Sequence, residues 1–203
     1  MRQETAGVTE ALLESAKKEF LKYGFHNANL RRISADSGVS TNSIYTRFGD
    51  KAGLFSAVVK PAADGLMKMY LESIGASTEG CDTQDMISQG TEGTELVLKY
   101  IYDNFDVFKL IFCNSAGTEY EGYFDGLAQI EEKYYKKFVK QFSRRENTVS
   151  DFFIHVICRT GWSYIYEVVS HDIPYDEAKI FMGDISKYCY AGWKCVLGVE
   201  DMP

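Results

Sequence analysis

Ser34, Gly38 and Ile44 restrict the fold of this chain more than any other feature of its 203 residues. A small residue allows two helices to approach closely, a glycine four positions later supplies a left-handed turn, and a branched apolar residue six further on plugs the core they share. The flanking sequence supplies the helices that this spacing needs. Over Thr9 to Tyr23, Leu12, Ala16 and Phe20 recur at four-residue steps, with Leu13 and Leu21 widening the stripe, and Gly24 is placed to stop that helix. Asn29 is an N-cap for a helix over Leu30–Ser37, in which Leu30 and Ile33 face inward. Ser40 caps a third, Thr41–Phe48, with Ile44 and Phe48 on one face, and Asp50 caps a long fourth helix from Lys51 to about Ser73. Two short helices joined by a glycine turn, with another packed behind them, make a helix-turn-helix.

The charge distribution agrees with a nucleic-acid-facing front. The net charge is −7, but residues 1–60 hold nine Lys/Arg against six Asp/Glu, a balance of +3, and the remainder stands at −10. The front can approach phosphates that would repel the rest. The apolar content of 45% is that of a chain with a core to bury, and no apolar run nears the roughly 18 residues of a membrane span. An odd count of five cysteines, none in a CxxC pair, reads as reduced thiols in a cytoplasmic protein. Only three prolines and little β-type alternation point to an all-α fold.

From Leu12 to Phe55 the residues LLESAKKEF, YGF and LRRISADSGVSTNSIYTRFGDKAGLF resemble the TetR-type transcription regulators. GVSTNSIYTRFGDKAGLF is similar to that family's Gly-Val-Ser-x3-Leu-Tyr-x-His-Phe-x-x-Lys-x-x-Leu signature. The chain departs from the pattern where Asn29 replaces a threonine cap, Ser34 an alanine and Arg47 a histidine. The resemblance covers about a quarter of the chain. It implies an all-α protein of about nine helices, with a helix-turn-helix DNA-binding domain over 1–50 and a helical effector-binding and dimerisation domain over 51–203.

In such a head the start of the second motif helix meets base edges in the major groove. Thr41, Asn42, Ser43, Tyr45 and Thr46 occupy that stretch. Asn42 suits a bidentate pair with adenine, and Thr41 or Thr46 a thymine methyl. Arg31, Arg32, Arg47 and Lys51 supply positive charge, while Asn29 and Ser40 cap helix N-termini that face phosphates. The bland alternative is a solvated charged surface with Asn29 and Ser40 serving merely as caps.

Beyond Ser73 the resemblance to the signature is lost. Pro61 marks either a kink in the fourth helix or a junction between two helices. Gly75–Gly93 reads as a loop, followed by helices near Thr94–Asn104, Phe105–Ser115, Glu119–Phe142, Ser150–Ser170 and Tyr175–Leu197. The last two are apolar on most sides, which implies a homodimer through about 150–170 and 175–197; in the resembling family these helices form that interface. The resemblance also implies a small-molecule pocket in the body. Phe108, Phe112, Tyr134 and Phe138 are aromatic candidates for its lining, joined by His155, Arg159 and Trp162. Each of them also fits plain core packing. Arg159 would suit an anion or an acidic side chain, and the acidic body leaves a cationic aromatic ligand open.

His155 and Cys158 form one helical pair without a second, so no metal is expected, and no nucleophile elbow, P-loop or dinucleotide fingerprint suggests an enzyme. The expected function is a repressor that binds a palindromic double-stranded DNA operator as a homodimer and is released by a small-molecule effector, with no cofactor and no membrane partner. The alternative is a sensing or interaction protein whose head binds DNA non-specifically or not at all.

Overall fold

Helix formation follows the caps and glycines of the sequence. The computed structural model describes residues 6–76, 83–143 and 149–198, and among these it holds nine helices and no strand. They are α1 (Ala6–Asn27), α2 (Leu30–Ser37), α3 (Thr41–Phe48), α4 (Lys51–Ala76), α5 (Thr83–Asp103), α6 (Phe105–Cys113), α7 (Tyr123–Phe142), α8 (Asp151–Ser170) and α9 (Tyr175–Leu197). Gly24 interrupts α1 at φ 69°, ψ 166°, the break its position predicts. No helix among the described residues is long and apolar enough to cross a membrane.

The chain forms two units, residues 1–65 with 104–123 and residues 66–103 with 124–203. The division therefore falls inside α4 rather than at residue 50, and α6 packs with the head. The reason is apolar burial. Leu12, Phe20, Ile33, Ile44, Leu54 and Phe55 are sealed from solvent in the first unit, and α6 adds Phe108, Leu110 and Ile111. Phe55 sits at the centre, with its ring 5.0 Å from Phe20, 5.5 Å from Phe25 and 6.2 Å from Tyr120. The backbone N–H of Phe25 donates to the Asn114 carbonyl at 3.0 Å, and the Tyr123 hydroxyl donates to the Ala63 carbonyl at 2.7 Å.

In the second unit Tyr102 donates to the Ile173 carbonyl at 2.7 Å, and its ring lies 5.2 Å from Tyr175, which fixes the start of α9. Ser150 caps α8 by accepting from the Phe153 N–H at 3.1 Å. The turn His171–Pro174 separates α8 from α9 as expected, with Asp172 in the left-handed region at φ 54°.

Pro61 lies inside one continuous helix, so the junction reading fails. Several helix boundaries also differ from the periodicity, two of them substantially. α5 begins at Thr83 rather than Thr94, so the expected loop over Gly75–Gly93 is helical in its second half; residues 77–82 lie outside the described residues. Gly93 belongs to that helix, and a Cβ there would meet Ser73 Oγ at 3.3 Å, so the glycine serves close approach of α5 to α4 rather than a turn. α7 starts at Tyr123 instead of Glu119 because local bonds hold the preceding turn: Thr118 Oγ1 donates to the Ser115 carbonyl at 2.7 Å, and Glu121 accepts from the Gly117 N–H at 2.9 Å.

Candidate DNA-binding face and effector cavity

The head is built from its caps outward. Asn29 is extended and accepts from the Arg31 N–H at 2.8 Å, and Ser40 accepts from the Ser43 N–H at 3.2 Å, so both motif helices start on a satisfied donor. Between them Gly38 takes φ 70°, ψ 6°, a conformation that a side chain disfavours. Ile33 and Ile44 are fully buried in the core of the head, and Ser15 of α1 donates to Asp36 of α2 at 2.6 Å.

With Ile44 buried, the opposite face of α3 is turned to solvent. Asn42, Tyr45 and Thr46 are exposed, Tyr45 at 53%, while Thr41 and Ser43 are half-buried at its edges. Thr46 spends its hydroxyl proton on the Asn42 carbonyl at 2.8 Å, leaving its methyl and a lone pair outward. Asn42 and Tyr45 thus present the free polar reach of this face.

The cations behave differently from one another. Arg31 is exposed and forms no ion pair among the described residues. Arg32 donates through Nε to Glu19 at 2.8 Å and stacks on Tyr23 with its guanidinium 4.3 Å from the ring centroid. Burial works to raise the Glu19 carboxyl, but Arg32 and the Asn29 N–H outweigh it and hold Glu19 below its ordinary range. Arg47 reaches Thr9 Oγ1 at 2.7 Å. Lys51 donates to the carbonyls of His26 at 2.9 Å and Ala28 at 3.2 Å, over the Phe25 ring. Three of the four cations named from sequence therefore also knit the head together. Glu19, Tyr23 and Thr9, which receive them, were not singled out from sequence, because i-to-far pairings leave no periodic trace.

The second unit encloses a cavity of about 540 Å³ lined by residues of α4, α5, α7, α8 and α9. Tyr134 and Trp162 line it, in company with Tyr70, Glu131, Tyr135 and Trp193. Phe138 stands behind Trp193, at 6.2 Å between rings. Phe108 and Phe112 are instead in the first unit, 5.5 Å from each other, with Phe108 fully buried. His155 is hydrogen-bonded to Glu132 at 3.0 Å and does not line the cavity, whereas Cys158 does. Arg159 pairs with Asp125 at 2.6 Å on the surface, an acidic side chain answering the arginine. Sequence reasoning passed over Glu131. It sits four residues beyond Leu127 and three before Tyr134, a carboxylate inside an apolar stripe, and that irregularity was its signal.

Glu131 Oε2 is closed to solvent and has no hydrogen-bond partner. Burial pushes its carboxyl up to about 8, against the opposing hydrogen bond from Trp162. Burial likewise raises the Tyr70 and Tyr135 phenols and the Cys158 thiol, each with a further push from Glu131. The neighbourhood favours neutral groups.

Comparison with known proteins places this geometry. Residues 12–58 match the family described as bacterial regulatory proteins, tetR family. Over 64 residues the chain is 31% identical to the HTH-type transcriptional repressor AcnR of Corynebacterium glutamicum, a stretch covering 32% of this chain and 34% of that repressor. The match thus spans about a third of the relative's length. Among solved structures, a transcriptional regulator from Aquifex aeolicus is similar with a TM-score of 0.64 at 14% identity, over 90% of this chain and 99% of the other. SmeT, the repressor of the multidrug efflux pump SmeDEF of Stenotrophomonas maltophilia, gives 0.64 at 16%, over 92% and 90%. At such identities these two likenesses establish the all-helical fold.

Proposed function

We propose that this chain, whose residues 12–58 match the tetR family of bacterial regulatory proteins, is a DNA-binding transcriptional regulator, not an enzyme, which represses from a palindromic operator as a cytoplasmic homodimer and lets go when a small molecule enters the cavity. One observation carries the reading: the exposed face of α3, with Asn42 and Tyr45 outward and Ile44 locked beneath, on two helices whose caps and glycine turn are all in place. That is a rigid polar surface of the width a major groove admits. Dimerisation draws on Phe152, Ile180 and Tyr188, which are 75%, 68% and 70% exposed on α8 and α9. Effector release would be a population shift, the ligand favouring a conformation whose two heads no longer fit adjacent half-sites.

The test is selection of bound sequences from random duplex DNA with the purified protein. An enriched palindrome, with affinity falling steeply as salt rises, is the expected result. The second reading, a sensing protein whose head is at most a sequence-blind anchor, draws on the internal engagement of Arg32, Arg47 and Lys51. It expects no enriched motif.

A further inference from the structure

Taking the cavity as the effector site of that reading, the geometry points to its ligand class: an aromatic or otherwise apolar molecule bearing one positive charge, seated against Glu131. Among the described residues, Glu131 is the only acidic or basic side chain lining the cavity. A lone carboxylate enclosed among apolar and aromatic groups is costly unless something pairs with it, and here Oε2 has no partner. Beyond the Trp162 hydrogen bond, the described residues around it offer no cation. α4 presents Tyr70, and α5 contributes Gly93, Thr94 and Val97. α7 itself adds Tyr134 and Tyr135, α8 adds Cys158 and Tyr164, and α9 adds Tyr188 and Cys189, so every other titratable lining group is a phenol or a thiol.

A glycine of α8 packs directly beside the carboxylate. Gly161 of α8 faces it, and even a Cβ there would stand 4.0 Å from Oε2. The surrounding π-faces complete a cation site: Trp193 stacks on Tyr135 at 5.0 Å with 10° between planes, and Trp162 meets Tyr70 edge-on at 5.2 Å. Such rings attract a cation by their quadrupoles while accepting the ligand's apolar body. An anionic ligand would find no cation among the described lining residues. A neutral one would leave the carboxyl protonated and gain no ion pair from it.

The cation must displace a proton wherever the empty site holds one. With the carboxyl at about 8 in the empty cavity, the apparent affinity for a permanent cation should rise about tenfold per pH unit between roughly pH 6 and 7.5, and level off above about 8.5.

The experiment uses the full chain without DNA and three probes on one naphthylpropyl frame, ending in trimethylammonium, hydroxyl or carboxylate, titrated by calorimetry. The trimethylammonium probe should bind at least about tenfold more tightly than the hydroxyl probe at about pH 8.5, and Glu131→Gln should bring that ratio to near one. The wild-type pH series is the second measurement and needs no variant. The inference is overturned if the hydroxyl or carboxylate probe binds as tightly, if Glu131→Gln keeps the preference, if affinity is flat over the pH series, or if no probe binds. Since no DNA is present, those outcomes leave the selection experiment to judge the DNA-binding reading separately.

Discussion

At the scale of single residues, side chains that break a local pattern are the informative ones. Glu131 shows how. Its carboxyl stands near 8 where the ordinary value is 4.5, so the native state holds a proton that the unfolded chain gives up across that window. A group raised on folding makes stability fall as pH rises from about 4.5 to 8. Replacing it by Gln removes the dependence: the variant should match wild type below about pH 4.5 and exceed it increasingly toward pH 8, by at most about 5 kcal/mol at 1.36 kcal/mol per pKa unit, a ceiling lowered by water entering the cavity. Denaturant midpoints of the two proteins at about pH 5, 7 and 9 check this, and parallel curves would refute it. Tyr45 is the counterpart on the head. It is exposed and unneeded for the core, so Tyr45→Ala should leave stability within about 0.5 kcal/mol while weakening operator affinity by about tenfold or more. Gel-shift titration beside thermal melting separates the two effects.

At the scale of elements, the caps explain what was legible. α2 begins after Asn29 and ends at Gly38, α3 begins after Ser40 and α9 after Pro174, because caps and left-handed glycines act within a few residues of their own position. α5 was half missed for the complementary reason: its glycines and small polar residues resemble a loop locally, and only the approach of Gly93 to Ser73 from another helix explains them. The assignment of Phe108 and Phe112 to a ligand cavity failed on the same point, since periodicity shows that a helix has an apolar face but not which unit receives it. Apart from Tyr134 and Trp162 the cavity lining was hidden likewise, while the exposed face of α3 was legible because Ile44 fixes its rotation. Pro61 belongs to this scale. It stands exposed inside the 26-residue α4, where it forfeits a backbone hydrogen bond and crowds the preceding turn. Pro61→Ala should therefore stabilise the protein by about 1–3 kcal/mol. A lower melting temperature would mean that α4 needs the proline. Ser40→Ala should act oppositely, costing about 1 kcal/mol through the lost cap, and the two melts together test whether local rules govern these helices.

At the scale of the whole molecule, the exposed apolar residues of α8 and α9 are the surface on which the proposed dimer rests. Phe152 and Val156 lie one turn apart on α8, and Ile180, Phe181 and Tyr188 follow on α9, all more than a third exposed. In a two-fold symmetric dimer each contributes twice, so a single substitution is felt as two. Ile180→Glu introduces two carboxylates into an interface whose rotation axis brings equivalent surfaces together, while in the separated chain the same side chain simply faces water. Its effect on the isolated protomer's stability should stay within about 0.5 kcal/mol. On the proposed assembly, sedimentation should then report a dimer for the wild type and a folded monomer for the variant. The consequence for DNA is larger than any one lost contact. Two tethered heads bind adjacent half-sites with a second event that is effectively intramolecular, a gain of roughly 10²–10⁴ in avidity that a monomer forgoes. Ile180→Glu should lose about that factor on the full palindrome and almost nothing on an isolated half-site, although no residue of the head has changed. Equal loss on both DNAs would place α9 in the DNA contact instead, and a variant that stays dimeric would move the interface to another face of the body.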